Sequence, residues 1–145
     1  MTLKMKSIAF KLFIALTFNC FFLYAQESKG NESFFVFINE FSNNEDFQMN
    51  RTLFPLECVS WDIEKDTTVT FYVNKNEWEY TKLFGDNHEG YTVVYDNFEC
   101  ELQDTDQRVF QWRGFTDMDI RYYFKRIEGK WFLIKYVNDD ETFYR

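Results

Sequence analysis

The sequence predicts an α+β fold in which one N-terminal helix, or two, packs in a curved antiparallel sheet. Three observations carry that reading. Phe34, Phe35, Phe37, Ile38 and Phe41 fall at offsets that form one helical stripe. From Val69 onward the chain turns to short β-prone segments separated by polar turns. Finally, Glu128-Gly129 lies between two apolar runs, a strong hairpin signal.

The elements follow in order. Asn31 or Ser33 is placed to cap the first helix, Glu32 suits its positive end, and Ser42-Asn43-Asn44 ends it. A second short turn, 45–50, would dock Phe47 and Met49 beneath the first. Residues 53–63 read as extended, with Pro55 marking an edge or a bend. Val69 to Val73 is a strand after a polar loop, whereas 76–84 (NEWEYTKLF) suits a short helix as well as an irregular strand. Tyr91 to Tyr95 reads as strand, Phe98, Cys100 and Leu102 continue an alternating face, and Val109 to Arg113 follows after a turn. Residues 120–127 and 130–138 close the sheet. A two-residue loop would set Phe124 against Leu133, Ile120 against Val137 and Arg126 beside Trp131, with Tyr123, Ile127, Phe132, Ile134 and Tyr136 on the other face. Both faces are rich in apolar groups, so helix is expected on one and another cover, such as a second subunit, on the other.

Ahead of the domain stands an export signal. Lys4, Lys6 and Lys11 precede an apolar run from Leu12 to Leu23, which ends at Tyr24-Ala25-Gln26. The run has 12 residues, against about 20 for a membrane-spanning helix. Residues 1–25 are therefore expected to be a cleaved signal peptide and 26–32 a flexible leader, placing the protein in the periplasm or outside the cell. Cys20 follows Phe18-Asn19 and precedes more apolar signal, which disfavours a lipid-attachment role. No membrane span is expected after cleavage.

Residues 26–145 carry 13 basic and 24 acidic side chains, a formal charge of −11. That balance supplies no phosphate-neutralising surface, so nucleic acid is excluded as a partner, and an anionic membrane would repel the protein. The same stretch holds 14 Phe, 8 Tyr and 4 Trp. Each ring can bury roughly 150–250 Å², more than one small core readily absorbs, so some are expected to line a cavity or a partner surface.

Several runs resemble a known family: Phe34-Phe35-Val36-Phe37-Ile38-Asn39-Glu40-Phe41-Ser42, then Asp46-Phe47-Gln48-Met49-Asn50-Arg51, then Phe54-Pro55-Leu56. They are similar to a family of small exported bacterial proteins catalogued as a domain of unknown function, the DUF4348 type. The likeness weakens after Trp61 and returns in Tyr122 to Val137. It implies an NTF2-like, cone-shaped domain over residues 33–145 and no established activity. Relatives of this kind are often lipoproteins, a feature from which the surroundings of Cys20 depart.

Reaction motifs are sparse. Cys58 and Cys100 remain after the signal, and in an oxidising compartment such a pair reads as a disulfide. It would close 42 residues of sequence, worth roughly 4 kcal/mol on the loop-entropy argument. The acidic neighbours Glu57, Glu99 and Glu101 disfavour a thiolate nucleophile. His88 lies in a polar loop between Asp86 and Glu89, where solvation is a simpler role than general base. Asp104-x-Asp106 lacks the glycine and terminal glutamate of a calcium loop. Asp117-x-Asp119 precedes a strand, and Tyr95 with Asp96, or Asp119 with Tyr122, are acid–tyrosine pairs of the kind cone-fold isomerases use.

These readings favour an exported, non-catalytic binding domain that holds a small molecule, a glycan or a protein through an aromatic-lined cavity or sheet face. Trp61, Trp78, Tyr95 and Trp112 are the candidate lining residues. No catalytic residue, metal ligand or cofactor is assigned. The alternatives are a lyase or isomerase using a pocket carboxylate of raised pKa, and a homodimeric assembly domain.

Overall fold

The computed structural model describes residues 30–84, 90–101, 103–114 and 119–139. From Glu32 on they form one compact unit. Its elements are α1 (Phe34–Asn43), α2 (Glu45–Asn50), β1 (Thr52–Asp62), β2 (Thr67–Val73), β3 (Gly90–Tyr95), β4 (Gln107–Gly114), β5 (Asp119–Ile127) and β6 (Lys130–Asn138). The fold is α+β, two short helices on a curved, unclosed six-stranded sheet of order β2-β1-β6-β5-β4-β3. All neighbours are antiparallel except β1 and β6, which run parallel.

The helical stripe is Phe34, Phe37, Ile38 and Phe41, all buried, whereas Phe35 is 83% exposed and points away from the sheet. At 3.6 residues per turn, adjacent positions cannot share one narrow stripe, and Phe34 takes the inward place. The three inward rings converge on Phe124 of β5, edge-on, with centroids 5.3–5.6 Å away. Ser33 occupies the N-cap position but its side chain caps nothing. Glu32 turns instead to the β5–β6 hairpin: it accepts from Trp131 N–H at 2.8 Å and takes both terminal nitrogens of Arg51, at 2.8 and 2.9 Å. Trp131 is fully buried between the guanidinium groups of Arg108 and Arg126, each about 5 Å from its ring.

Asn44 ends α1 and starts α2, its side chain accepting from Phe47 N–H at 3.0 Å. Phe47 packs on the core as expected. Gln48, one position on, is fully buried. Its Nε2 donates to the carbonyls of Phe41 and Thr81, both at 2.9 Å, while Oε1 accepts from Trp78 Nε1 at 3.2 Å and Thr81 N–H at 3.1 Å. Ser42, also fully buried, accepts at Oγ from the N–H groups of Leu83 and Phe84, and its carbonyl accepts from Tyr80 Oη. Residues 78–84 are neither helix nor strand. They are a strap in which four backbone groups, the Thr81 N–H and carbonyl and the N–H groups of Leu83 and Phe84, are satisfied by two helix side chains.

Pro55 lies in β1 before its pairing with β2 begins at Leu56, in the stretch between Thr52 and Glu57 where the register against β6 shifts, which is the edge or bend a proline calls for. The Glu128-Gly129 turn has two residues, both at positive φ, with Ile127 opposite Lys130. Arg126 pairs with Trp131 and Phe124 with Leu133, as the hairpin geometry requires. Between Tyr123 and Phe124 the register then slips past Ile134. A one-residue bulge moves every later side chain to the other face, so Ile120 meets Asn138, not Val137, and Tyr136 joins Tyr122 on the helix-covered face. Residues 96–101 are turn, not the strand that Phe98 and Cys100 suggested; Leu102 lies outside the described residues. Phe98 folds onto Tyr123, covering part of the face away from the helices.

Candidate functional site

The four aromatic candidates do not converge. Trp78 is half-buried in the strap, with its Nε1 on Gln48 and its ring edge-on to Tyr136 at 5.8 Å. Trp112 packs against the core from β4, opposite Ile120 and Thr92. Tyr95 ends β3 opposite Val109, whose side chain alternates to the face away from the helices. Trp61 lies near the end of β1 at the other side of the sheet, opposite Thr68. Trp78 and Trp112 are thus peripheral core, and Tyr95 and Trp61 are four strands apart.

Trp61 does line a groove. Where β1 hands over to β2, Ser60, Trp61, Asp62, Ile63, Glu64 and Val69 enclose an open space of about 320 Å³. The indole, the 47%-exposed Ile63 and Val69 supply apolar surface; Ser60 and the two carboxylates supply polar groups. A hydrogen bond from Lys65 Nζ at 2.7 Å is the main reason the Asp62 carboxyl is held below its ordinary range. The groove therefore carries an ionised acceptor, Asp62, beside a ring. No signal in the sequence distinguished Trp61 from the other tryptophans, because the groove is made by the turn that follows it.

The acid–tyrosine pairs are not assembled. Asp119 and Tyr122 alternate to opposite faces of β5. Burial pushes Asp119 up, but hydrogen bonds from Arg121 and from Gln111 Nε2, the latter at 2.8 Å, outweigh it and hold the carboxyl below the usual range. Burial, and then the neighbouring Tyr136, push the Tyr122 hydroxyl far above its usual value. Asp96 faces Arg108 at 3.4 Å, not Tyr95. The acids of Asp104-x-Asp106 are divided between two arginines, Asp104 on Arg108 and Asp106 on Arg126 at 2.7 Å. Asp86, His88, Glu89 and Asp117 lie outside the described residues. Among those described, no three His, Cys, Asp or Glu side chains are grouped to hold a metal. No described helix is long and apolar enough to cross a membrane.

The expected disulfide is not formed. Cys58 is buried in β1, and Cys100 is an exposed thiol at positive φ in the β3–β4 connection. Strands β6 and β5 lie between β1 and β4. Even from β5, onto which Phe98 folds, β1 is two spacings of ~4.8 Å away, about 10 Å, against the ~7 Å that a disulfide spans. Burial first, and then Glu57, push the Cys58 thiol up to about 11. The folded state thus keeps a proton that the unfolded chain releases above 9.0. The contribution of Cys58 to stability is complete below that value and declines as pH rises toward 11. At neutral pH Cys100 is expected to react with a soluble aromatic disulfide reagent at least about tenfold faster than Cys58. In urea, without reductant, both should titrate, and their failure to do so would reinstate the bridge.

The comparisons with known proteins agree with this architecture. A family model described as "Domain of unknown function (DUF4348)" matches residues 24–141. Among solved structures, the chain is similar to an NTF2-like protein from Bacteroides fragilis NCTC 9343, with TM-score 0.55 and 20% identity over 77% of this chain and 49% of that one. It spans about half the length of that relative. It is also similar to a cystatin-like protein from Bacteroides caccae ATCC 43185, with TM-score 0.52 and 21% identity over 76% of this chain and 78% of that one. No curated protein matches the sequence. The family match covers most of the chain, and with the α+β architecture described above it makes this protein a member of the DUF4348 family, built on an NTF2-like fold.

Proposed function

We propose that this protein is an exported, non-catalytic binding domain that takes a glycan, or a small ligand of similar polyhydroxylated character, at the Trp61 groove. The observation that carries the reading is the groove itself: one indole beside Ser60, Asp62 and Glu64 in about 320 Å³. That volume lies at the small end of ligand sites, which run roughly 300–1,000 Å³. An indole face packs against the C–H face of a sugar ring, while ionised carboxylates accept its hydroxyl protons. Asp62, held ionised by Lys65, suits such an acceptor and not a general acid. The lyase alternative calls for a carboxyl of raised pKa, and Asp62 and Asp119 are both displaced downward. Export rests on the basic start and apolar run of residues 1–25.

Titration calorimetry against a panel of neutral and cationic oligosaccharides tests the reading. A hit should lose at least about tenfold in affinity in Trp61→Ala, since a stacked aromatic typically contributes about 1–3 kcal/mol when removed from a binding site. Tyr95→Phe, on the far edge strand, should leave it unchanged. Binding indifferent to Trp61→Ala would contradict the groove as the site.

A further inference from the structure

Several of the protein's own cations lie over its aromatic rings. Arg108 and Arg126 flank Trp131, the Arg51 guanidinium is 4.8 Å from the Phe47 ring centre, and Lys135 Nζ is 5.9 Å from that of Tyr123. Among the described residues Trp61 has neither a cation nor a second ring against it. The two carboxylates that share its groove are not equivalent. Asp62 is engaged by Lys65, accepting from its backbone N–H at 3.2 Å and from Nζ at 2.7 Å. Glu64 is exposed, and among the described residues no cation or hydrogen-bond donor meets its side chain. With Lys65 counted, the turn 62–66 keeps a formal charge of −2.

We propose that the ligand of this groove is an amino sugar, its protonated amine seated between the indole face of Trp61 and the Glu64 carboxylate. The inference rests on the Trp61 groove as the binding site and adds the charge of what enters it. A cation over a ring face is drawn by the ring's quadrupole, and tryptophan is the strongest such ring. Glu64 then supplies the counter-charge, since that of Asp62 is already matched by Lys65. A neutral sugar would leave Glu64 without a counter-ion. An acidic sugar would be repelled by the turn and by a chain of net charge −8. The amine belongs on a polyhydroxylated ring and not on a bare alkyl chain, because Ser60 and Asp62 also line the groove and suit hydroxyl groups. A carboxylate has about four acceptor positions, so Asp62 serves Lys65 and a sugar hydroxyl together. Ile63 and Val69 complete the apolar wall against which the ring's C–H groups pack.

Titration calorimetry of the chain, as processed by its host, with a glucosamine trimer and its fully N-acetylated counterpart tests the proposal. The two share every ring and differ only at nitrogen, and mildly acidic buffer keeps the amines protonated. The amine trimer should bind at least about tenfold more tightly than the acetylated one. In Glu64→Gln, a conservative change at an exposed turn position, that preference should fall at least about fivefold, with binding of the acetylated trimer unchanged. A tri-lysine peptide brings the charge without the sugar and should bind at least about tenfold more weakly than the amine trimer. Equal binding of the two trimers, lost for both in Trp61→Ala, would overturn the amine and leave the groove as a site for neutral glycans. A preference that survives Glu64→Gln, or tri-lysine binding as tight as the amine trimer, would overturn it as well. Binding of the amine trimer that ignores Trp61→Ala, or its failure to bind at millimolar concentration, would remove the inference whatever occupies the groove.

Discussion

Phe124→Ala is expected to destabilise the fold by about 3–5 kcal/mol, the usual cost of emptying a fully buried phenylalanine site. Phe124 has no exposed surface and receives Phe34, Phe37 and Phe41 edge-on, so it is where α1 is held to the sheet. Truncation removes a ring and three edge-to-face contacts of about 0.5–1.5 kcal/mol each, part of which relaxation of the helix recovers. In chemical unfolding the midpoint should fall with little change in slope, because the surface exposed on unfolding is nearly the same. The melting temperature should fall by roughly 10–20 °C. Phe35→Ala is the matched control. Its ring is 83% exposed, so the change should stay within about 0.5 kcal/mol. Similar losses from both substitutions would mean that α1 does not pack through the described face.

Gln48→Leu is expected to cost about 3 kcal/mol although leucine has nearly the same volume. The loss is polar. Four groups lose their partner at once: the carbonyls of Phe41 and Thr81, the Thr81 N–H and Trp78 Nε1. A buried group left unpaired costs about 1–3 kcal/mol, reduced here because Thr81 and Trp78 are only half-buried and water can reach them. The readout that separates this from simple repacking is local. Amides of Thr81, Leu83 and Phe84 should exchange faster relative to those of β5 and β6, because the strap is released while the sheet stays paired. Uniform acceleration across the sheet would show that Gln48 supports the whole core and not the strap in particular.

These two residues also mark how far the sequence could be read. The Phe34 to Phe41 stripe, the strands near 69–73, 91–95 and 109–113, and the Glu-Gly hairpin were legible because periodicity and turn chemistry are local signals. Gln48 was not, since a lone polar residue beside Phe47 carries no sign that two of its partners, Trp78 and Thr81, lie 30 and 33 residues away. The parallel β1–β6 pair and the slip at Ile134 were hidden for the same reason: neither is a property of one strand. The slip is what turns Tyr136 to the helix-covered face beside Tyr122. The expected bridge failed on topology, since compartment and spacing say nothing of which strands lie between two thiols. Of the candidate lining residues, Trp61 reaches the groove, and two others are explained by packing against the core.

The binding reading is tested most directly by a crystal structure of the protein purified from its host with whatever it carries. Density for an intact ligand stacked on the Trp61 indole, within reach of Ser60, Asp62 and Glu64, is the expected result. Density enclosed instead beside Tyr122 under the helices, or a chemically altered product there, would contradict the account and return the fold to an enzyme.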